Sequence, residues 1–229
     1  MTTINSYKRL WGICFWFWNI FLIIAEKPVE PACKTKVDVG FILDSSGSLR
    51  NDYQLEKDFL KTLAATFGVS QTGSRAGVVT FSYNAELSIK MNEHDSMQTF
   101  GEAVDSIPLM GSTTRIDKAL RLTQKELFSI SNGARPGIPK ILVLLTDGSQ
   151  TADADAVDPG NIADEIRSKG IKVLVIGIGP GVNQTELLHL GGGQENTFSA
   201  GSFSELISGE FIGKVTKKKC DVGKLLKLI

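Results

Sequence analysis

Asp44, Ser46 and Ser48 alternate along the segment DSSGS (44–48). In an extended turn alternate residues point the same way, so one carboxylate and two hydroxyls converge. These are hard oxygen donors, suited to Mg²⁺, with Mn²⁺ or Ca²⁺ as the other candidates. A second acid, Asp147, ends the apolar run KILVLLTD (140–147) and opens into a Gly/Ser turn, just as Asp44 ends VDVGFILD (37–44). The two histidines, His94 and His189, are far apart in sequence, and no His/Cys cluster with zinc spacing occurs. Nucleotide and nucleophile signatures are missing too. There is no G-x-x-x-x-G-K-[ST] and no G-x-S-x-G, and GIGPG (177–181) follows a late strand without the G-x-G-x-x-G spacing. Asp153, Asp155 and Asp158 look superficially like a Ca²⁺ loop, but Val157 and Pro159 spoil it. They read as a solvated acidic loop on the rim of the site, able to repel acidic partners or to bind Ca²⁺ weakly.

Elements that could bring Asp44 and Asp147 together follow from the hydropathy pattern. Apolar runs at 37–44, 75–82, 140–147 and 171–179 read as buried strands. The segment 85–91 alternates and sits close behind the second run, so it pairs antiparallel as an edge strand, and NTFSA (196–200) is a last short strand. Helical spacing marks 52–67, 95–107, 115–130, 159–168, 184–190 and 202–219. Strands separated by helices predict an α/β fold, a doubly wound and mostly parallel six-stranded sheet with helices on both faces. Strand order 3-2-1-4-5-6 makes the first and fourth strands neighbours where the order reverses. That is the point at which such sheets bind ligands beyond the strands' carboxyl ends. Both acids lie there.

The run VDVGFILDSSGS, followed by RAGVVTFS, GSTTRIDKAL and ILVLLTDGS, resembles a von Willebrand factor type A domain. The resemblance covers about residues 36–215, and the order of its motifs is more specific than D-x-S-x-S alone. It implies the same Rossmann-like architecture and a metal-ion-dependent adhesion site. Carried over, the site is Asp44, Ser46, Ser48, Thr114 and Asp147. Thr114 enters because it stands five residues before Ala119 of the following helix, with Thr113 adjacent. In the family the hydroxyls bind metal directly, the acids act mainly through water, and a partner's carboxylate completes the coordination. The resemblance further implies a non-enzymatic adhesion module of the matrilin and type VI collagen-like group. Its partners would be extracellular matrix proteins presenting an acidic residue, collagens among them. The reading from another class, a metal-dependent hydrolase in the same cleft, lacks a placed base or nucleophile. The chain also reads as a module of a larger collagen-like or receptor protein.

Composition agrees with a globular module. Hydrophobic residues are 42% and charged residues 22%, enough for a real core and too apolar for disorder. Lys+Arg and Asp+Glu are 25 each, so no basic field points to nucleic acid. Lys8 and Arg9 precede the apolar run WGICFWFWNIFLIIA (11–25), the pattern of a secretory signal, and the run is short of the roughly 20 residues of a bilayer span. The expected division is a signal peptide at 1–25, a linker at 26–35, the domain at 36–219 and a tail at 220–229, with no membrane span in the mature chain. Of the three cysteines, Cys33 and Cys220 survive cleavage and would pair in an oxidising compartment. Asn183-Gln184-Thr185 is an N-glycosylation sequon, meaningful in a secreted chain of the extracellular matrix.

Overall fold

A computed structural model describes residues 35–217. The expected signal peptide, Cys33, Cys220 and the tail lie outside the described residues. Six strands form one sheet: β1 (Asp38–Asp44), β2 (Arg75–Phe81), β3 (Ala85–Ile89), β4 (Lys140–Thr146), β5 (Lys172–Ile178) and β6 (Thr197–Ala200). Their order is β3-β2-β1-β4-β5-β6, with β2–β3 antiparallel and the other four neighbouring pairs parallel. The expected fold class and the switch point between β1 and β4 are therefore present.

Every residue of β1 is buried, because helices cover both faces of the sheet. Side chains alternate between two cores. Val39, Phe41 and Leu43 pack with α1 (Tyr53–Thr66), α2 (Met97–Asp105), α6 (Phe203–Leu206) and α7 (Gly209–Lys217). Ile42, Leu142 and Leu144 pack with α3 (Ile116–Leu122), α4 (Pro159–Ser168) and α5 (Gln184–Gly191). Gly40 of β1 and Gly77 of β2 stand in register, and together they make a flat spot on the second face. The side chain of Leu127 fills it: a Cβ on Gly40 or Gly77 would come within 2.6 or 2.8 Å of a Leu127 methyl.

Two helices differ from the expectation. The segment 115–130 is α-helical only to Leu122 and then widens to a π-turn, Thr123–Leu127. The segment 202–219 is broken, because Ser208 starts a new helix by accepting the Phe211 N–H at 3.2 Å. On α1 Leu55 is only half-buried, whereas Glu56 and Lys57 are buried with Phe59, Leu60 and Leu63.

Candidate metal centre

Asp44 is the last residue of β1 and is wholly buried. Its Oδ1 accepts the Ser46 N–H at 2.9 Å and its Oδ2 accepts the Thr146 hydroxyl at 2.7 Å. The backbone leaves the strand here: Ser45 N–H still bonds Phe81 O, and a 3₁₀ turn, Gly47–Asn51, leads into α1. The Ser46 and Ser48 hydroxyls lie 3.1 Å apart, and Ser48 Oγ donates to Asp147 Oδ1 at 2.9 Å. Asp44, the two hydroxyls and Asp147 thus lie in one hydrogen-bonded row, with Ser48 brought there by the 3₁₀ turn and not by the extended chain that was expected.

Thr114 reaches this end of the sheet because its segment is stitched to the first loop. Met110 N–H bonds Ser45 Oγ at 2.7 Å, Gly111 N–H bonds Ser45 O, and Gly47 N–H bonds Ser112 O. Arg115 N–H then continues β2 by bonding Ser82 O. The Thr114 hydroxyl lies over the turn after Asp147, where a Cβ on Gly148 would sit 3.5 Å from Thr114 Oγ1. Thr113 is exposed and Thr114 half-buried, in line with Thr114 as the inward residue. A third loop presses on the turn from behind, since a Cβ on Gly181 would come within 2.5 Å of the Asp147 carbonyl.

The electrostatics are those of crowded acids without a counter-charge. Burial pushes the Asp44 carboxyl up to about 6, against the hydrogen bonds of Thr146 and Ser46, with the Asp147 charge adding to the rise. Burial also raises Asp147, opposed by Ser48. Behind Asp44 stands Glu56, fully buried and raised well above the ordinary range by burial and then by the charges of Asp44 and Asp147. None of the three acids has an ion-pair partner among the described residues. Among those residues, no three His, Cys, Asp or Glu side chains come close enough to hold an ion by themselves. An ion here needs the serine and threonine hydroxyls. The donor set is wholly oxygen, which fits a hard divalent cation.

The acidic loop is exposed as expected, with Asp153, Asp155 and Asp158 all open to solvent, but it is also tied to the fold. Arg115 is almost completely buried and forms a two-pronged pair with Asp117, both bonds 2.8 Å. Its remaining nitrogen takes Asp153 at 3.0 Å and Asp155 at 2.7 Å. Asp158 instead caps α4 by accepting the Gly160 N–H at 2.8 Å. Two of the three loop acids therefore pair with a buried cation while their own side chains stay open to solvent, Asp155 at 67% exposure. Gln150 bonds Asp117 from the loop side at 2.7 Å, so the cluster fastens the 147–157 loop to the start of α3. Sequence reasoning missed Thr146, Glu56 and Arg115. Glu56 had a legible signal, an acid at the i−4 and i−7 positions from Leu60 and Leu63 in an apolar stripe. Neither histidine is at the site: His94 packs on Phe100, and His189 faces Asp164 and Asp158 on α4.

Comparison with known proteins agrees with this geometry. The family model of the von Willebrand factor type A domain matches residues 38–210. Von Willebrand factor A domain-containing protein 2 of Xenopus laevis is 29% identical over 82% of this chain, and the human collagen alpha-5(VI) chain is 30% identical over 80%. The chain spans only 23% and 7% of the length of those relatives. Among solved structures, proximal thread matrix protein 1 of the mussel byssus, with a zinc-occupied metal-ion-dependent adhesion motif, superposes with a TM-score of 0.75 at 29% identity, covering 82% of this chain and 49% of that one. A family model spanning β1 to α7, over a sheet of this order with these loops at its switch point, makes the chain a member of the von Willebrand factor type A domain family.

Proposed function

We propose that this chain is a non-enzymatic adhesion module of the extracellular matrix, binding protein partners through a divalent cation held by Asp44, Ser46, Ser48, Thr114 and Asp147. The observation that carries the reading is the continuous row from Asp44 through Ser46 and Ser48 to Asp147, with Thr114 over the adjoining turn. The hydroxyls of Ser46, Ser48 and Thr114 would ligate directly. Asp44 and Asp147 would hold cation-bound waters, Asp44 with its orientation locked by Thr146 and Ser46. A cation bound mainly by neutral oxygens supplies an electron-poor centre that attracts an anionic oxygen from outside. The partner's contribution is therefore a carboxylate, and Mg²⁺ is the ion expected in a matrix setting, with Mn²⁺ or Ca²⁺ able to substitute.

Matrix proteins, collagens among them, are the partners that the kinship to a collagen VI chain and a byssal matrix protein suggests. Among the described residues no helix is long and apolar enough to cross a membrane. Secretion under a signal at 1–25, a Cys33–Cys220 bridge and a glycan on Asn183 belong to the same reading. Asn183 is exposed, with its carbonyl oxygen capping α5 through the Thr185 and Glu186 N–H groups.

The test is binding of the full chain to extracellular matrix extract in Mg²⁺ and in EDTA, with an Asp44→Ala variant alongside. Binding should be lost in EDTA and in the variant, while the variant's thermal unfolding in EDTA stays near wild type, since it removes a costly buried charge. Binding that survives both would direct attention to a metal-independent face.

A further inference from the structure

Glu56 is a fully buried carboxylate at this end of the sheet that neither the sequence motif nor the kinship assigns. It sits in the first turns of α1, on the face turned to the sheet, and is completely buried. Its Oε1 accepts the Asp44 N–H at 3.3 Å, which sets the carboxyl group against the strand end that carries the site. Its Oε2 has no hydrogen-bond partner among the described residues. A buried carboxylate oxygen left unpaired is costly and is ordinarily satisfied by water or an ion.

Among the described residues no cation pairs with Glu56. The neighbouring Lys57 is buried too, but its ammonium donates to the carbonyls of Asp105 at 2.9 Å and Ile107 at 3.4 Å and lies over the Tyr53 ring. The charges that do act on Glu56 are those of Asp44 and Asp147, both of the same sign. An ionised acid among other acids is costly, and the cost falls either when it takes up a proton or when positive charge enters between them. The three carboxylates are too far apart to grip an ion directly. Glu56 can reach one through water, as outer partners of metal ligands commonly do.

We infer that Glu56 is a third carboxylate of the divalent-cation centre, a positioning residue that holds a cation-bound water through its unpaired Oε2 and adds its charge to the attraction of the cation. This rests on the adhesion-site reading and extends it to a residue on α1.

The test is Mn²⁺ binding to the full chain, followed by electron paramagnetic resonance of the free ion, for wild type, Glu56→Gln and Glu56→Met. Gln keeps an oxygen for the Asp44 N–H and removes the charge. A purely supporting role therefore leaves Mn²⁺ affinity within twofold of wild type, and that result overturns the inference. The expected result is affinity 10- to 100-fold weaker in both variants, the range typical of lost outer partners of metal ligands. Thermal midpoints in EDTA should be equal to or above wild type, because an unpaired buried acid has been removed. Wild type that fails to bind Mn²⁺ at all overturns the adhesion-site reading itself, a different outcome from wild type that binds with an unaffected Gln variant. Gln decides between the two roles; Met, which also removes the acceptor of the Asp44 N–H, overturns the inference if it too leaves affinity within twofold of wild type.

Discussion

Arg115 shows how a single buried charge organises the rim of the site. Its guanidinium is enclosed by Asp117, Asp153 and Asp155, two of which come from a loop 38 and 40 residues away. Arg115→Met would leave Asp117 buried with only the Gln150 amide and the Val157 N–H as donors. Breaking a buried pair from one side costs about 3–5 kcal/mol, so a fall of that size in unfolding free energy is expected in denaturant titrations. The pH dependence has a definite sign. Burial pushes the Asp117 carboxyl up, but the bonds from Arg115, Gln150 and Val157 outweigh it and hold it at about 2. A folded-state value below the ordinary 3.8 contributes stability above about pH 4 that is lost as pH falls toward 2. Wild type should lose about 2 kcal/mol through this group over that window. Arg115→Met should show a shallower fall, and identical acid limbs for the two proteins would contradict the assignment.

At the scale of elements, the contact between the sheet and the end of the α3 segment depends on the absence of two side chains. Gly40 and Gly77 face each other across β1 and β2, and Leu127 rests on both. A methyl group at Gly40 would meet Leu127 at 2.6 Å and the Phe128 ring at 2.9 Å, inside a core where Leu127 has no room to withdraw. Overpacking of this kind costs about 1–3 kcal/mol, so Gly40→Ala should destabilise by that amount. Combining it with Leu127→Ala should be non-additive by about 0.5 kcal/mol or more in a double-mutant cycle, because the clash vanishes with the larger partner. Strict additivity would mean that the sheet shifts to absorb the methyl instead. The same segment carries Thr114 and Arg115 at its start, so the seat of Leu127 helps to fix how α3 presents them to the site.

The whole molecule is a two-faced core threaded by one sheet, and its protection against opening should follow strand order. β1 is hydrogen-bonded on both sides, by β2 and β4, and β4 by β1 and β5. β3 is an edge with a register shift at Val78/Val79, and β6 has four residues and one neighbour. Amide hydrogen exchange should therefore be slowest, at the level of global unfolding, in β1 and β4, and measurably faster in β3 and β6 through partial opening. If the proposed divalent cation binds the folded chain alone, then at 100 times its dissociation constant it should add about 2.7 kcal/mol, slowing exchange in β1 and β4 while leaving the edges nearly unchanged. Uniform protection across all six strands would contradict this gradient.

The amino-acid sequence by itself determined the sheet and which acids end its two central strands, while Thr114 came from the family resemblance. Apolar runs of strand length, two of them closed by an acid, set which segments must be buried, and burial on both faces leaves a parallel α/β sheet as the arrangement that satisfies their backbones. The DSSGS motif puts Asp44, Ser46 and Ser48 at one strand end, but extended chain lasts only to Ser46, and Ser48 is turned toward the acids by the 3₁₀ turn Gly47–Asn51. Local pattern of this kind survives in the fold because it acts within a few residues. What only the tertiary structure decided are pairings across long separations: Thr146 against Asp44, Arg115 against Asp153 and Asp155, Glu56 beneath the strand end. A charged side chain is silent about its partner until packing removes water from around it. The acid at position 56 stands in the apolar stripe of α1, but only the packed helix shows that its carboxyl meets the Asp44 N–H. The acidic run at 153–158 stays exposed, and only the fold shows that a buried guanidinium holds two of its members. Desolvation makes these charges costly or useful, and desolvation is a property of the assembled core, where residues distant in sequence exclude water together.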